Sequence, residues 1–220
     1  MRRASAVGAW PSSPLALLEE YIGALRQLLA GQRVDCDGRY VRLSGVQLAH
    51  PPSVVPPVLA GVRGSRSLRM SGRAAQGTIL AEPVTPEYLA AAVKLIDAAD
   101  HEIVAYNAVS VDDDPALARH RVRSALGVIG EPDWWPHVAV LDFAAELAEL
   151  RLSVGSAAAL AAALPDAWVD RLAIVGTPER AREQLLALGQ AGADRVILSP
   201  ADPDRIAALG SLACLIASPG

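Results

Sequence analysis

Val58-Leu59-Ala60 runs into Gly61-Val62-Arg63-Gly64-Ser65, then into a helical run through Leu68, Met70 and Ala74-Ala75, then through Gly77 into Thr78-Ile79-Leu80-Ala81. A short, continuous apolar run suits a strand buried on both faces. The order strand, short loop, helix, glycine, strand is that of a parallel α/β unit. The same order recurs downstream. Thr85-Pro86-Glu87 supplies a capping threonine, a proline at the first helical position and an acid in the first turn, and opens a helix through Leu89, Val93 and Ile96. Residues 103–109 form a longer strand. Asp113-Asp114-Pro115 opens a helix through Leu117, Val122 and Leu126, so the acidic run Asp112-Asp113-Asp114 reads as helix capping rather than a ligand set. A loop rich in Pro and Trp follows over 131–136, then helical stretches over 141–151 and 156–164. Thr177-Pro178-Glu179 opens a helix that ends near Gly192, residues 196–198 are the last strand, and the last helix runs over 206–216. Leu172-Ala173-Ile174-Val175 reads either as a fifth strand or as a loop. Four strands, at 58–60, 78–81, 103–109 and 196–198, are too few to close a barrel, which takes eight strands and about 250 residues.

Upstream of this alternation, Ser13-Pro14 pairs an N-cap with a proline at the first helical position, and Gly31 sits at a helix C-terminus. Leu18, Tyr21, Ile22, Leu25, Leu28 and Leu29 fall at helical spacing between them, so 14–30 is an amphipathic helix. Residues 32–43 then read as a β-hairpin turning at Asp37-Gly38. Cys36 alternates with Val34 there and reads as a packed thiol. Pro51-Pro52-Ser53-Val54-Val55-Pro56-Pro57 is a stiff connector into the first parallel strand.

The chain of 220 residues is 52% apolar, which excludes disorder and suffices for one domain, 1–220, with a sizeable core. Its net charge is −4, with 20 Lys and Arg against 24 Asp and Glu, and the one short basic run is Arg2-Arg3. That balance argues against a nucleic-acid partner. Cys36 and Cys214 are no disulfide framework, and His50, His101, His120 and His137 are scattered in no metal-ligand spacing. Pro11 and Pro14 interrupt the N-terminal apolar segment, so no signal peptide is read there, and no run approaches the ~20 apolar residues of a membrane span. The expectation is a cytoplasmic protein acting on a small molecule.

Ligands of parallel α/β folds sit beyond the carboxyl ends of the strands. Three segments qualify: 61–65, 82–85 and 199–203. The first is the most informative. Two glycines flank Arg63 between a strand and a helix start, where bare backbone and free N–H groups favour an anion and an arginine adds a charge-assisted bond. A tight strand-to-helix turn also wants glycine for its own geometry, so Gly61 and Gly64 alone leave both readings open. Glu82, before Pro83, reads as a loop carboxylate or a polar group at the rim of the site. Asn107 within a strand needs hydrogen-bonding partners and reads as structural. Trp134-Trp135 reads as a hydrophobic lid over the helices. No Ser-His-Asp arrangement, G-x-S-x-G, G-x-G-x-x-G or Walker sequence occurs. An aldolase-type barrel would want a lysine at a strand end, and the single lysine, Lys94, lies mid-helix.

Several of these segments together resemble the luciferase-like monooxygenases. They are the run from Ser13 to Tyr21, the hairpin, Pro57-Val58-Leu59-Ala60-Gly61-Val62-Arg63-Gly64, Thr78-Ile79-Leu80, Thr85-Pro86-Glu87-Tyr88, Val175-Gly176-Thr177-Pro178-Glu179 and Ala191-Gly192-Ala193-Asp194-Arg195-Val196. The most similar branch is the deazaflavin-dependent oxidoreductases related to methylenetetrahydromethanopterin reductase. The resemblance runs from about Trp10 to Leu215 and is confined to the family's second half. It implies a (β/α)8, TIM-barrel-like α/β fold of which about the last four βα units are present, with the small hairpin and extra helices added. A fragment, a shifted start and a truncated paralogue are the three expectations that go with it. The family binds FMN or coenzyme F-420, so the resemblance implies an oxidoreductase that uses a flavin or deazaflavin on a small organic substrate. The alternative is a non-catalytic remnant that binds a phosphate ligand or a partner chain. Carried over residue by residue, the match implies that the backbone of Ala60, Gly61, Val62, Arg63, Gly64 and Ser65 holds the cofactor phosphate, with Glu82 near the rim. Ser65 departs from the proline usual after that glycine, and Gln76 departs from an aspartate. No catalytic residue transfers, because the residues that contact the ring belong to the family's first half. Open strand edges at 58–60 and 196–198 imply a homo-oligomer.

Overall fold

The computed structural model describes residues 11–202 and 204–216. Met1, Arg2, Arg3 and Trp10 therefore lie outside the described residues. Helix α1 (Pro14–Leu29) starts on Ser13, whose Oγ accepts the Ala16 amide, and ends before Gly31 at φ 74°. Strands β1 (Val34–Asp37) and β2 (Arg42–Val46) make an antiparallel hairpin. Its turn differs from the expectation. Asp37 pairs with Arg42, so 38–41 is a four-residue loop, and Gly38 is not among the residues with positive φ. The Glu20 carboxylate of α1 holds this loop by accepting the amides of Arg39, Tyr40 and Val41. Those bonds hold its carboxyl below the ordinary range. A tight turn is unnecessary when a helix supplies the acceptors that the loop lacks.

The parallel units follow as β3 (Leu59–Gly61), α2 (Ser65–Ala74), β4 (Gly77–Leu80), α3 (Pro86–Ile96), β5 (Glu102–Val111) and α4 (Pro115–Leu126). Thr85 and Asp114 cap α3 and α4 through their side-chain oxygens, as the sequence predicts. The 131–136 stretch is more ordered than a loop. Two 3-10 turns, Gly127–Gly130 and Pro132–Trp134, lead into the short helix α5 (Trp135–Val138). Helices α6 (Ala144–Ser153), α7 (Ala157–Ala163) and α8 (Asp166–Leu172) come next, the last of them absent from the sequence reading. Strand β6 (Ile174–Gly176), helix α9 (Pro178–Gln190), strand β7 (Arg195–Pro200) and helix α10 (Arg205–Ile216) close the order.

The five parallel strands run β3-β4-β5-β6, with β7 also paired to β5. The stretch left open as strand or loop is thus a strand, and the count is five rather than four. Val109 pairs with Ile174 and Pro200 at once, so β6 and β7 flank β5 on opposite edges. Strand β4 takes the first half of the β6 edge through Gly77 to Leu80. Gln76 shows why its departure from aspartate is tolerated. Its side-chain oxygen accepts the Val58 amide at 3.1 Å, and its backbone bonds both Val58 and Glu102, stitching β3, β4 and β5 at their entrances.

Strand β5 alternates between two cores, as a period of two requires. Ile103, Ala105, Val109 and Val111 pack with residues of α2, α3, α9 and α10, while Ala108 packs with residues of α4 to α8. Both faces of β5 are therefore covered, and both parallel-sheet neighbours deliver their carboxyl ends to the same side.

Candidate functional site

The carboxyl ends of β3 and β4 bring the turn 61–65 and the loop 82–84 to one place. Gly61 pairs with Ile79, and the Val62 amide still bonds the Ile79 carbonyl at 3.3 Å. Neither glycine of the turn has positive φ; Gly64 sits at φ −86° and ψ 156°, open to any residue. A Cβ on Gly61 would meet nothing within 4 Å, and one on Gly64 would meet only Ser67 Oγ at 3.7 Å. The turn therefore does not need glycine for its own geometry or packing. What glycine adds is bare backbone beside open space.

Helix α2 begins at Ser65 with Gly64 as its N-cap and no side chain bonding its first-turn amides. Ser67 Oγ donates back to the Gly64 carbonyl at 2.9 Å, and the first helical bond is Leu68 N–H to that same oxygen. Helices α1, α3, α4 and α9 are instead capped by Ser13, Thr85, Asp114 and Thr177. An uncapped N-terminus leaves N–H donors and the positive end of the helix dipole for an anion. Residues 64–67 share an open groove with 12–15, where the start of α1 comes alongside. The residues present thus fit a phosphate group.

Arg63 is turned against Trp134, its guanidinium carbon 3.7 Å from the indole ring centre. Its Nη1 is buried without a hydrogen-bond partner. Tyr88 Oη donates to the Arg63 carbonyl at 3.0 Å, tying the turn to α3. The same indole reaches Glu82, since Trp134 Nε1 donates to the Glu82 carbonyl at 2.7 Å. The Glu82-Pro83 bond is cis. His137 Nδ1 bonds the Pro83 carbonyl at 2.9 Å, which assigns the ring proton to Nδ1 because a carbonyl can only accept. Asn107 clamps Val84 with both ends of its amide, each bond 2.9 Å. Three side chains from distant segments thus hold 82–84.

The structure groups Ala60, Gly61, Val62, Arg63, Gly64 and Ser65 at one turn and links Glu82 to Arg63 through Trp134. Asn107 has the partners that its burial demands. Trp134 is no plain lid: it gives one ring face to a cation and its N–H to a carbonyl. His137 and Tyr88 were not singled out from the sequence. Both are buried and stacked, with ring centres 4.2 Å apart. Burial pushes the His137 imidazole down to about 4, and the Arg63 charge adds to that push against the Pro83 bond. Burial likewise pushes the Tyr88 phenol up. A Trp-Pro-His run carries no signal of its own; only the distance to Glu82 and Arg63 in space makes it part of a site.

A cavity of about 180 Å³ lies among α3, α8 and α9, behind the clamped loop, lined in part by Val84, Asn107, Arg171, Arg180 and Gln184. Arg171 pairs with Glu87 and Asp142, Arg180 with Glu183, and Gln184 holds the Asp170 and Ala173 carbonyls, so its polar groups are satisfied from within. No cluster of three or more His, Cys, Asp or Glu suited to a metal occurs among the described residues. No helix among them is long and apolar enough to cross a membrane.

The fold is a parallel α/β sheet with an open groove beside the turn at its carboxyl end. The luciferase-like monooxygenase family matches residues 3–195, and the chain belongs to it. It is 26% identical over 219 residues to the 5,10-methylenetetrahydromethanopterin reductase of Methanolobus tindarius, covering 91% of this chain and 65% of that one. It is 35% identical over 130 residues to the F420-dependent glucose-6-phosphate dehydrogenase of Mycobacterium tuberculosis, covering 53% of this chain and 38% of that one. Among solved structures, the coenzyme F420 dependent tetrahydromethanopterin reductase of Methanopyrus kandleri superposes with a TM-score of 0.71 at 22% identity, over 91% of this chain and 62% of that one. That likeness speaks to the fold. The chain spans less than two thirds of the length of the methylenetetrahydromethanopterin reductases that it matches.

Proposed function

We propose that this chain holds the cofactor phosphate of a flavin- or deazaflavin-dependent oxidoreductase of the luciferase-like type, with coenzyme F-420 favoured over FMN. The single observation that carries the reading is the uncapped start of α2 beside two glycines whose Cβ positions stand open. The names of the F420-dependent relatives support the choice of cofactor. The amides of residues 64–67 would take the phosphate, Arg63 would add a charge-assisted bond, and Glu82 would stand at the rim. When bound, the deazaflavin or flavin supplies hydride transfer or oxygen activation on a small organic substrate. This chain's residues bind and orient: Asn107, Trp134 and His137 keep 82–84 in place, and Tyr88 keeps the Arg63 backbone in place. We assign the protein to the cytoplasm and to a homo-oligomer. A non-catalytic binder of a phosphate ligand or a partner chain is the second reading, since the uncapped start of α2 suits a phosphate whether or not chemistry follows.

A fluorescence titration of the full chain with coenzyme F-420 and with FMN tests the turn. Gly64→Val should weaken binding tenfold or more, about 1.4 kcal/mol. Its unfolding midpoint without ligand is read beside it, because a Cβ there meets only Ser67 Oγ at 3.7 Å but valine is a poorer N-cap than glycine. If Gly64→Val binds as tightly as the parent, the turn does not hold the phosphate.

A further inference from the structure

We infer that Trp134 is the positioning residue for Arg63: the indole holds the guanidinium flat so that its unpartnered edge is presented to an anionic oxygen of the cofactor. This rests on the turn 61–65 holding a phosphate and adds the device that aims its cation. Four observations carry it. First, a cation over a ring face uses the face alone, and the N–H groups at the guanidinium edge stay free for hydrogen bonds. Second, the Arg63 side chain donates no hydrogen bond and enters no ion pair among the described residues, and its Nη1 is buried. Nε and Nη2 have no partner either and are not buried, so they form the edge that a ligand oxygen can reach.

Third, the indole is itself fixed. Trp134 Nε1 is bonded to the Glu82 carbonyl, and three residues on, His137 Nδ1 bonds the Pro83 carbonyl. Arg151 bonds the Gly130 carbonyl at 2.8 Å, which holds the start of the same segment. Fourth, the Arg63 main chain is pinned by Tyr88 Oη. Backbone and guanidinium are thus held by residues 25 and 71 positions away along the chain. A long side chain on a surface turn otherwise loses its rotamer freedom when it binds. Here that freedom is already restricted before the ligand arrives.

The test is a double-mutant cycle on the full chain, read by titration of coenzyme F-420 fluorescence at low and high salt. Arg63→Ala and Trp134→Leu should each weaken binding by about five- to tenfold at low salt. Each should also flatten the salt dependence, since the contact they remove is ionic. The double variant should be no weaker than the weaker single variant, because both remove one interaction. Trp134→Phe keeps a ring face but loses the bond to the Glu82 carbonyl that fixes it, and should bind between the parent and Trp134→Leu. The phosphate-free deazaflavin should bind parent and variants alike. Unfolding midpoints without ligand separate loss of fold from loss of aim.

Losses that multiply in the double variant would overturn the inference. So would parent-like binding by Trp134→Leu or by Arg63→Ala, or a Phe variant as weak as the Leu variant. The Gly64→Val titration reads the underlying site separately. If Gly64→Val loses affinity while the cycle is additive, only the positioning role fails. If Gly64→Val binds as the parent does, or the parent binds neither cofactor, the site itself fails and the positioning role with it.

Discussion

The His137 imidazole is kept neutral inside the protein, and that has a consequence in acid. Its value in the fold is about 4, against 6.5 when unfolded. Above 6.5 neither state carries the charge and the group is silent. As pH falls from 6.5 towards 4, the unfolded chain takes up a proton that the folded chain refuses, so stability is lost over that window. The full difference amounts to roughly 3 kcal/mol. His101, pushed down by burial against the pull of Asp194, acts in the same direction. The carboxylates Glu20, Asp112 and Glu179 are held below their ordinary values, chiefly by backbone amides, and lose their contribution at lower pH still. His137→Asn can keep the Pro83 bond without a titrating group. Urea unfolding at pH 7 and pH 5 should therefore show a smaller acid loss in the variant than in the parent. An equal loss in both would place the acid sensitivity elsewhere.

Helices α2 and α3 approach each other at Gly72, where a Cβ would collide with the Ile96 carbonyl oxygen. That oxygen belongs to backbone and cannot swing aside. Gly72→Ala should cost about 1–3 kcal/mol by overpacking, despite the better helix propensity of alanine. Chemical denaturation should show a lower midpoint with an unchanged slope, and a parent-like midpoint would mean that the crossing relaxes freely. Gly64→Ala serves as the contrast, since its Cβ meets open space. Element ends were legible wherever a short polar side chain precedes proline. Ser13, Thr85, Asp114 and Thr177 each cap the helix that the sequence places there. Elements without such punctuation were not. Helix α8 has Pro165 at its cap and no side-chain bond, and β6 is three residues long. Helix α8 packs on α4 and β6, and β6 packs on β5 and α4, contacts that no local pattern records.

Across the molecule, β3 and β7 each pair with one strand among the described residues, leaving each an open edge. Ile197 of β7 is 39% exposed, and Ile206 and Leu209 of the adjoining α10 are 82% and 61% exposed. Open parallel edges with apolar flanks recruit further strands. Sedimentation velocity on the full chain should show concentration-dependent self-association, and Ile197→Lys should shift it towards monomer. A single species that sediments as a monomer at all concentrations and melts cooperatively would contradict this. The parent's oligomer is a separate matter from the cofactor turn, which lies on one chain.

Composition and punctuation by themselves determined the class of this protein. Apolar runs of strand length, capped helices between them and glycines at the joints admit a parallel α/β sheet and little else. They also nominated the turn 61–65, because residues adjacent in sequence are adjacent in space. The tertiary structure decided the rest of the site. Asn107, Trp134 and His137 stand 23 to 54 residues from the carbonyls and amide that they bond. Trp134 reaches Arg63 only because α4 and the 3-10 turns carry it back over the carboxyl ends of β3 and β4. The sign of the glycine argument was decided there too. Sequence allows Gly61 and Gly64 to serve either backbone geometry or ligand approach, and their dihedral angles and the empty space at their Cβ positions show that backbone geometry does not require them. Local chemistry is written along the chain, whereas contacts across it depend on how the core packs.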